Sequence, residues 1–413
     1  MNPAYNLGIK AYQLAVRLAA LRGKKARTML EGQKRTFDLL REKLNPAHRY
    51  IWIHASSLGE FEQGRPLMER IKKENPDAHI VLSFFSPSGY EVRKHYDLAD
   101  VVCYLPFDLP AEVNTFLNLV NPTMAIFVKY EFWGNYLSEL RRRNIPTYLI
   151  SAIFRDGQIF FRPWGGMFRD MLNCFTRIFV QNEESRQLLK TIHVDHVEVA
   201  GDTRFDRVAS VRAAAKDFPV IAAFVENANF TLVMGSSWQH DEDIVIPYFN
   251  AHPSMKLIIA PHEFDHARLN SIMSRIKRKT GLYSATNALQ AAHLDCLIID
   301  SFGILSSLYR YGQMAYVGGG FGAGIHNVNE AAVYGIPVAF GPKFGKFAEA
   351  NDLIAIGGGF CVKDEQEFVD LMNKMLSNAD VRAMAGNIAG NYISTHTGAT
   401  TRIYQEIFPK RYK

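Results

Sequence analysis

Tyr50–Pro76 reads YIWIHASSLGEFEQGRPLMERIKKENP. Its first part, YIWIHAS, opens with an unbroken run of aromatic and β-branched residues, Tyr50–Ile53, and shows no polar alternation, as a strand buried on both faces requires. From Glu60 onward Leu67, Met68 and Ile71 recur at helical spacing, so EFEQGRPLMERIKKENP reads as an amphipathic helix. Outward from this stretch the same unit repeats. HIVLSFFS, VVCYLPF, MAIFVKYEFW and TYLISAI read as strands, with PSGYEVRKHY, PAEVNTFLNLVNP and GNYLSELRRRNIP as helices between them. Strands alternating with helices predict a parallel sheet covered on both faces, with ligands beyond the carboxyl ends of the strands. After RIFVQNEESRQLL and VEVAGDTRFDRV the pattern restarts near Asp217, through FTLVMGSS, KLIIAPHE, CLIID, MAYVGGG and PVAFGP. The fold class is therefore α/β, with two Rossmann-like αβα domains facing a central cleft. The expected divisions are a basic, membrane-proximal segment over 1–47, a domain over 48–207, a second over 208–395, and a tail over 396–413 that packs back on the first.

The chain has 413 residues, 48% hydrophobic and 21% charged, and a formal charge of +6. That length suits two cores, and the charge suits an anionic partner. No nucleic-acid motif accompanies it, so nucleic acid is not expected as a partner. Cys103, Cys174, Cys296 and Cys361 are far apart and show no metal spacing, as reduced core cysteines would. Tyr5–Leu21, YNLGIKAYQLAVRLAAL, is apolar but carries Lys10 and Arg17 and is too short for a clean span. Arg22, Lys24, Lys25, Arg27, Lys34 and Arg35 follow it. Such a segment suits the interface of an anionic bilayer, and packing on the domain is the alternative.

Two stretches carry chemistry. Ser57-x-x-Glu60 has the spacing of a helix capping box, yet it puts Glu60 at the carboxyl end of the first strand, where a general base belongs. The positive helix end is expected to keep that carboxylate ionised at pH 7. The second stretch is YVGGGFGAGIHNVNEAAVYGIPVAFGP, Tyr316–Pro342. Gly318, Gly319 and Gly320 would let the backbone approach a ligand, and VNEAAVYG would point a helix end at an anion. Glu330 there could take the diol of a ribose or serve an Asn327-x-x-Glu330 cap. Dehydrogenase, P-loop, zinc-protease and nucleophile-elbow motifs are missing. His262 and His266 lack a third ligand, so His262 is expected to face nucleotide and no metal is expected.

In order along the chain, HASSLGE, LPFDLP, YEFW with RRRNIPTYLISA, GDTRFD, GSS, APHE, VGGGF, HNVNE and GIPVAFGP resemble the 3-deoxy-D-manno-octulosonic acid (Kdo) transferases of lipopolysaccharide synthesis. The resemblance implies a GT-B fold and inverting transfer of Kdo from CMP-Kdo to a hydroxyl of a lipid A precursor, lipid IVA. It places the work at the cytoplasmic face of the bacterial inner membrane, on a peripheral or monotopic protein. Partners would be the CMP-Kdo donor, the lipid A precursor and the anionic membrane surface, with no further cofactor. Matched by position, Glu60 is the general base and Glu131 a second cleft carboxylate, while His326, Asn327 and Glu330 hold CMP. Gly235, Ser236, Ser237, Pro261, His262, Gly319 and Gly320 complete the nucleotide set. Ser56, Ser57, Gly59, Lys129 and Arg204 are the substrate-binding candidates, with amides around Ser56–Gly59 facing the Kdo carboxylate. Lys129 stands where many relatives have a second glutamate, and the arginine that relatives often carry between the Pro and His of APHE is absent. The donor phosphate ligand is therefore left among Gly235, Ser236, Ser237, Arg204 and Lys343. The alternative is another GT-B nucleotide-sugar enzyme, a UDP-sugar hexosyltransferase or an epimerase.

Overall fold

The computed structural model describes residues 3–409. The chain forms two compact units, one holding the residues up to Arg207 together with those from Thr397, the other Val208–His396. Of the terminal segments, residues 1–2 and 410–413 lie outside the described residues.

In the first unit the strands are β1 (Tyr50–His54), β2 (His79–Phe84), β3 (Val101–Tyr104), β4 (Pro122–Val128), β5 (Thr147–Ala152), β6 (Arg177–Val180) and β7 (Val197–Val199). They form one parallel sheet in the order β3-β2-β1-β4-β5-β6-β7. β1 is buried along its whole length because successive side chains enter different cores. Trp52 packs with Phe116, Phe127 and Tyr136 on one face. Ile51 and Ile53 join Phe61, Leu67 and Ile71 on the other.

Two helices precede the sheet, α1 (Pro3–Ala20) and α2 (Lys24–Lys43). α2 buries Met29, Gln33, Thr36 and Leu40, and the amide of Gln33 and hydroxyl of Thr36 donate to the carbonyls of Leu105 and Tyr104, 2.8 and 3.0 Å away. Gly32 sits against the Tyr104 ring, where a Cβ would collide. α2 is thus part of the folded unit, and its basic residues lie away from the buried stripe. α1 buries no residue fully. It is tied down by Tyr5, whose hydroxyl donates to Asp108 (2.5 Å) and accepts from the amide of Gly134 (2.9 Å). The same Asp108 accepts from the amides of Asn135 and Tyr136, capping the Gly134–Arg142 helix. No described helix is long and apolar enough to cross a membrane.

The helix after β1 is α3 (Leu58–Glu74), which starts two residues before the expected Glu60 because Ser57 is its N-cap. The strand expected over Met124–Trp133 stops at Val128, since Lys129 takes a left-handed φ of 69° and turns the chain out of the sheet. The Ala399–Ile407 helix lies on α3, with Ile403 and Ile407 in the core and Tyr404 accepting from Asn75 (2.8 Å).

The second unit has β8 (Thr231–Ser237), β9 (Lys256–Pro261), β10 (Thr280–Leu282), β11 (Cys296–Ile298), β12 (Met314–Val317), β13 (Val338–Phe340) and β14 (Gly359–Cys361). They too form one parallel sheet, ordered β10-β11-β9-β8-β12-β13-β14. The helix expected over VNEAAVYG is a single turn, Asn329–Ala332, with Gly335 following at a φ of 71°. The four cysteines are free.

Candidate active site

Chain direction across the first sheet reverses between β1 and β4, which are neighbours although two strands and their helices separate them in sequence. A crevice at the carboxyl ends of two such strands is where α/β sheets bind ligands. β1 ends in His54 and leads to Glu60, and β4 leads to Glu131.

Glu60 does fill its capping box. Its Oε2 accepts the amide of Ser57 (3.0 Å), and the Glu60 amide reaches the Ser57 hydroxyl at 3.5 Å. Glu131 is buried at 6% exposure and His54 is fully buried. His54 Nε2 lies 2.9 Å from Glu131 Oε2, and Trp133 Nε1 donates to the same oxygen over 2.6 Å. The other ring nitrogen, Nδ1, lies 2.9 Å from the hydroxyl and 3.1 Å from the carbonyl oxygen of Ser83, its neighbour on β2.

Burial pushes the Glu60 carboxyl up to about 7, and the charge of Glu131 pushes the same way; His54 and the amides of Ser57 and Ser56 oppose them. The helix end therefore does not keep Glu60 fully ionised at pH 7, because desolvation and a like charge outweigh it. A carboxyl that titrates near neutrality is suited to take a proton and return it.

Around this centre Lys129 places its ammonium 5.3 Å from the Tyr130 ring centroid. Arg155, Arg204 and Glu60 all act on the Tyr130 hydroxyl, whose pKa burial raises. Arg204 is itself engaged by Asp202, which accepts its Nε (2.7 Å) and its amide (2.9 Å). Ser56, Ser57 and Gly59 line the turn into α3, and a Cβ on Gly59 would meet nothing within 4 Å.

In the second unit the corresponding reversal lies between β8 and β12. The glycines after β12 are there chiefly for the protein's own backbone. A Cβ on Gly318 would collide with the Ser236 carbonyl, and one on Gly320 would lie 2.5 Å from Gly341 Cα. Gly319 needs its φ of 93°. Gly235 leaves room for the Tyr309 hydroxyl. Gly319 and Gly320 are buried, so the expected close approach of ligand to glycine is replaced by backbone packed on backbone. Ser237 is also occupied, since its hydroxyl donates to the buried Glu242 (2.8 Å). Ser236 sits beside it at a left-handed φ of 52°.

What faces outward is aromatic. Trp238 is 44% exposed. Its ring centroid is 4.8 Å from that of His262, and its Nε1 lies 3.3 Å from His326 Nε2. The two imidazoles are 4.3 Å apart, and burial together with His262 lowers the pKa of His326. Pro261 ends β9 immediately before this cluster. Asn327 donates to Glu330 (3.2 Å) and caps the following turn through Asn329 (3.1 Å), while Glu330 stays half-buried. Lys343 is exposed.

Residues 30–207 match the family model described as 3-deoxy-D-manno-octulosonic-acid transferase (Kdo transferase). The 3-deoxy-D-manno-octulosonic acid transferase of Aquifex aeolicus is 28% identical over 345 residues, 82% of this chain and 89% of that one. The same-named protein of Bordetella pertussis is 27% identical over 85% of each chain. By these matches the chain resembles the Kdo transferases over most of its length, with that family's domain over residues 30–207. It is a glycosyltransferase with a GT-B fold of two Rossmann-like units. The fold is shared with the UDP-GlcNAc 2-epimerase of Neisseria meningitidis, solved with UDP-GlcNAc, at a TM-score of 0.61 and 14% identity over 87% of this chain and 99% of that one.

The family's landmark stretches fall on the described centre. HASSLGE supplies His54 and Glu60, and YEFW supplies Glu131 and Trp133. The charge of Glu131 acts on Glu60, and in the second unit His262 and His326 pack ring against ring. It also shows four residues that sequence reasoning passed over: His54, Ser83, Trp238 and Asp241. Asp241 accepts the amides of Trp238 and Gly319 (2.9 Å each) and so joins the end of β8 to the glycine loop. An acidic residue at the third position of a helix that follows a strand was the signal for it.

Proposed function

We propose that this Kdo transferase moves Kdo from CMP-Kdo to a hydroxyl of a lipid A precursor, with inversion at the anomeric carbon. The observation that carries the reading is a carboxyl poised near pH 7 at the switch point of the first sheet, with Glu131 behind it. Glu60 takes the proton of the acceptor hydroxyl as its oxygen attacks, a contribution of about 10²–10⁴-fold. Glu131, held by His54 and Trp133, is the fixed charge that sets the basicity of Glu60. Amides at Ser56–Gly59 receive the Kdo carboxylate. In the second unit Trp238, His262 and His326 offer a stacking and hydrogen-bonding surface for the cytidine, with Asn327 and Glu330 beside it for the ribose. No cofactor beyond the donor is invoked.

α1 bears on the acceptor. Leu7, Leu14, Leu18 and Leu21 are 58–73% exposed, and Lys10, Arg17, Arg22, Lys24 and Lys25 are exposed among and after them. An apolar stripe flanked by cations suits docking on an anionic bilayer. The protein would then work peripherally at the cytoplasmic face of the inner membrane, where the lipid acceptor resides.

The test is mass spectrometry of a tetraacylated lipid A precursor incubated with the purified protein and freshly generated CMP-Kdo. One or more added Kdo masses are expected. Binding of CMP-Kdo with an unchanged lipid overturns the acceptor, and a folded protein that neither binds nor turns over CMP-Kdo overturns the donor.

A further inference from the structure

α1 turns one stripe toward the first unit. Tyr5, Ile9 and Val16, at the i, i+4 and i+11 spacing of one helix face, pack against its core. Tyr12 falls on the same stripe, between Ile9 and Val16. An inward position on a docked helix is ordinarily covered. Ile9 and Val16 are half-buried, yet Tyr12 between them is 46% exposed. Its neighbours belong to the carboxyl ends of the strands. The Tyr12 ring centroid lies 6.3 Å from that of Phe85, which directly follows β2, and 6.1 Å from that of Phe107, beyond the end of β3. Phe85 in turn packs on Trp133 at 4.7 Å, and Trp133 donates to Glu131. The residue after Phe85, Ser86, donates its amide to the carbonyl of Ser56 (2.8 Å), in the turn that leads to Glu60. The Phe85–Ser86 turn therefore joins Tyr12 to both arms of the candidate site. Tyr5, through Asp108 and Gly134, and Asn6, through Asn135 (2.8 Å), hold the helix in this place.

We propose that Tyr12 binds the sugar head of the lipid acceptor, its ring against the C–H face of a pyranose and its hydroxyl on one of the sugar's oxygens, and so orients the attacking hydroxyl in the crevice. An aromatic ring with a polar handle matches the amphipathic face of a sugar. The ring's underside is taken by Phe85 and Phe107, while its hydroxyl makes no hydrogen bond to another described residue. Burial, and after it the charge of Glu131, raises the pKa of that phenol, so it remains a neutral donor. The acceptor is assigned here, and not the donor, because the opposite stripe of α1 exposes Leu7, Leu14 and Leu18. A lipid seated in the bilayer beneath that stripe brings its sugar head to the level of the helix, whereas the donor has no acyl chain to bring it there.

The assignment rests on the acceptor reading above, so transfer by the wild type to the lipid A precursor is measured first, and its failure overturns both. With transfer established, Tyr12→Phe and Tyr12→Ala are compared with the wild type in the KM of each substrate, in cosedimentation with anionic vesicles and in urea midpoint. Tyr12→Phe keeps the ring on Phe85 and Phe107 and loses the hydroxyl, so KM for the lipid acceptor is expected to rise about threefold to tenfold. Tyr12→Ala loses the ring as well, and a rise of more than about tenfold is expected. KM for CMP-Kdo and vesicle binding are expected to stay at wild-type values in both. A merely structural role would lower kcat alone or raise both KM values together, and either result overturns the proposal. An acceptor KM that stays unchanged in either variant overturns it too. Vesicle affinity that falls in step with the acceptor KM would assign Tyr12 to membrane docking alone, and so overturns it as well. If Tyr12→Ala does not fold, Tyr12→Phe decides by itself.

Discussion

Trp133 Nε1 donates to Glu131 Oε2 over 2.6 Å, two residues back along a chain that Lys129 has just turned out of the sheet. With His54 on the same oxygen, the carboxylate is fixed from two sides and acts as a stationary charge. Glu131→Gln removes that charge from beside Glu60. Since Glu131 raises the Glu60 carboxyl, the acid limb of kcat/KM is expected to shift to lower pH in this variant. The variant is also expected to lose about 1–3 kcal/mol of stability, because a charged acceptor of two buried donors is replaced by an amide. A pH–rate profile and a urea titration check both, and an unshifted limb counts against the coupling.

Glu60 makes stability depend on pH as well. Its folded value of about 7 lies above the ordinary 4.5, so the unfolded chain releases the proton first as pH rises. The contribution of Glu60 to stability is then fully present below about pH 4.5 and is lost as pH rises through 7. Glu60→Gln keeps a side chain able to cap α3 and cannot titrate. Relative to this variant, the wild type is expected to be more stable at pH 5 than at pH 8. The difference in urea midpoint between the two proteins, measured at both pH values, cancels the other titrating groups. A difference that stays constant or grows with pH would show that burial does not raise Glu60.

How much of this was legible in the sequence differs from element to element. β1 was readable because both of its faces are buried, which leaves an unbroken apolar run. The start of α3 was misplaced by two residues, since a capping box consumes Leu58 and Gly59 before its glutamate. Aromatic YEFW extends an apolar strand on paper, and nothing in the residue type of Lys129 announces its positive φ. β10 and β14 are three-residue edge strands, too short for a periodic signal. The glycines after β12 were visible, but their reason, contact with Ser236 and Gly341, is tertiary. His54 was hidden for the same cause. A histidine inside a strand reads as core until its partner, 77 residues on, is folded beside it.

Glu242 anchors the second unit. It is fully buried and accepts from Arg268 and Arg275, each at 2.5 Å, as well as from Ser237. Removing it leaves Arg268 half-buried without its carboxylate and Arg275 with Asp243 alone, a loss of about 3–5 kcal/mol. Glu242→Ala is expected to raise hydrogen exchange across β8 and the His266–Arg275 helix, while β1 and β4 keep their protection. Uniform protection throughout would mean the ion triad contributes nothing net.

The exposed leucines of α1 predict binding to vesicles containing anionic lipid. Leu14 and Leu18 stand one turn apart on the helix surface, 58% and 59% exposed. Replacing both with aspartate takes away apolar contact and adds repulsion, so cosedimentation with anionic vesicles is expected to fall by more than about tenfold. Binding that persists, or that is equal on neutral vesicles, would remove the membrane role of α1.

Gly59 gives the sharpest opposition between stability and activity. It sits in the first turn of α3, where a Cβ would meet nothing within 4 Å, so neither packing nor a positive φ requires glycine there. Alanine is the better helix former by roughly 0.5–1 kcal/mol, and Gly59→Ala is therefore expected to stabilise the first unit by that order. If the open space beside the amides of Ser56–Gly59 is where the Kdo carboxylate comes in, the added methyl stands in its path. Transfer should then fall, through a raised KM for CMP-Kdo, in a protein that melts later than the wild type. A stabilised variant with unchanged kinetics would place the Kdo carboxylate elsewhere, and a destabilised one would show that the open space is not open in solution.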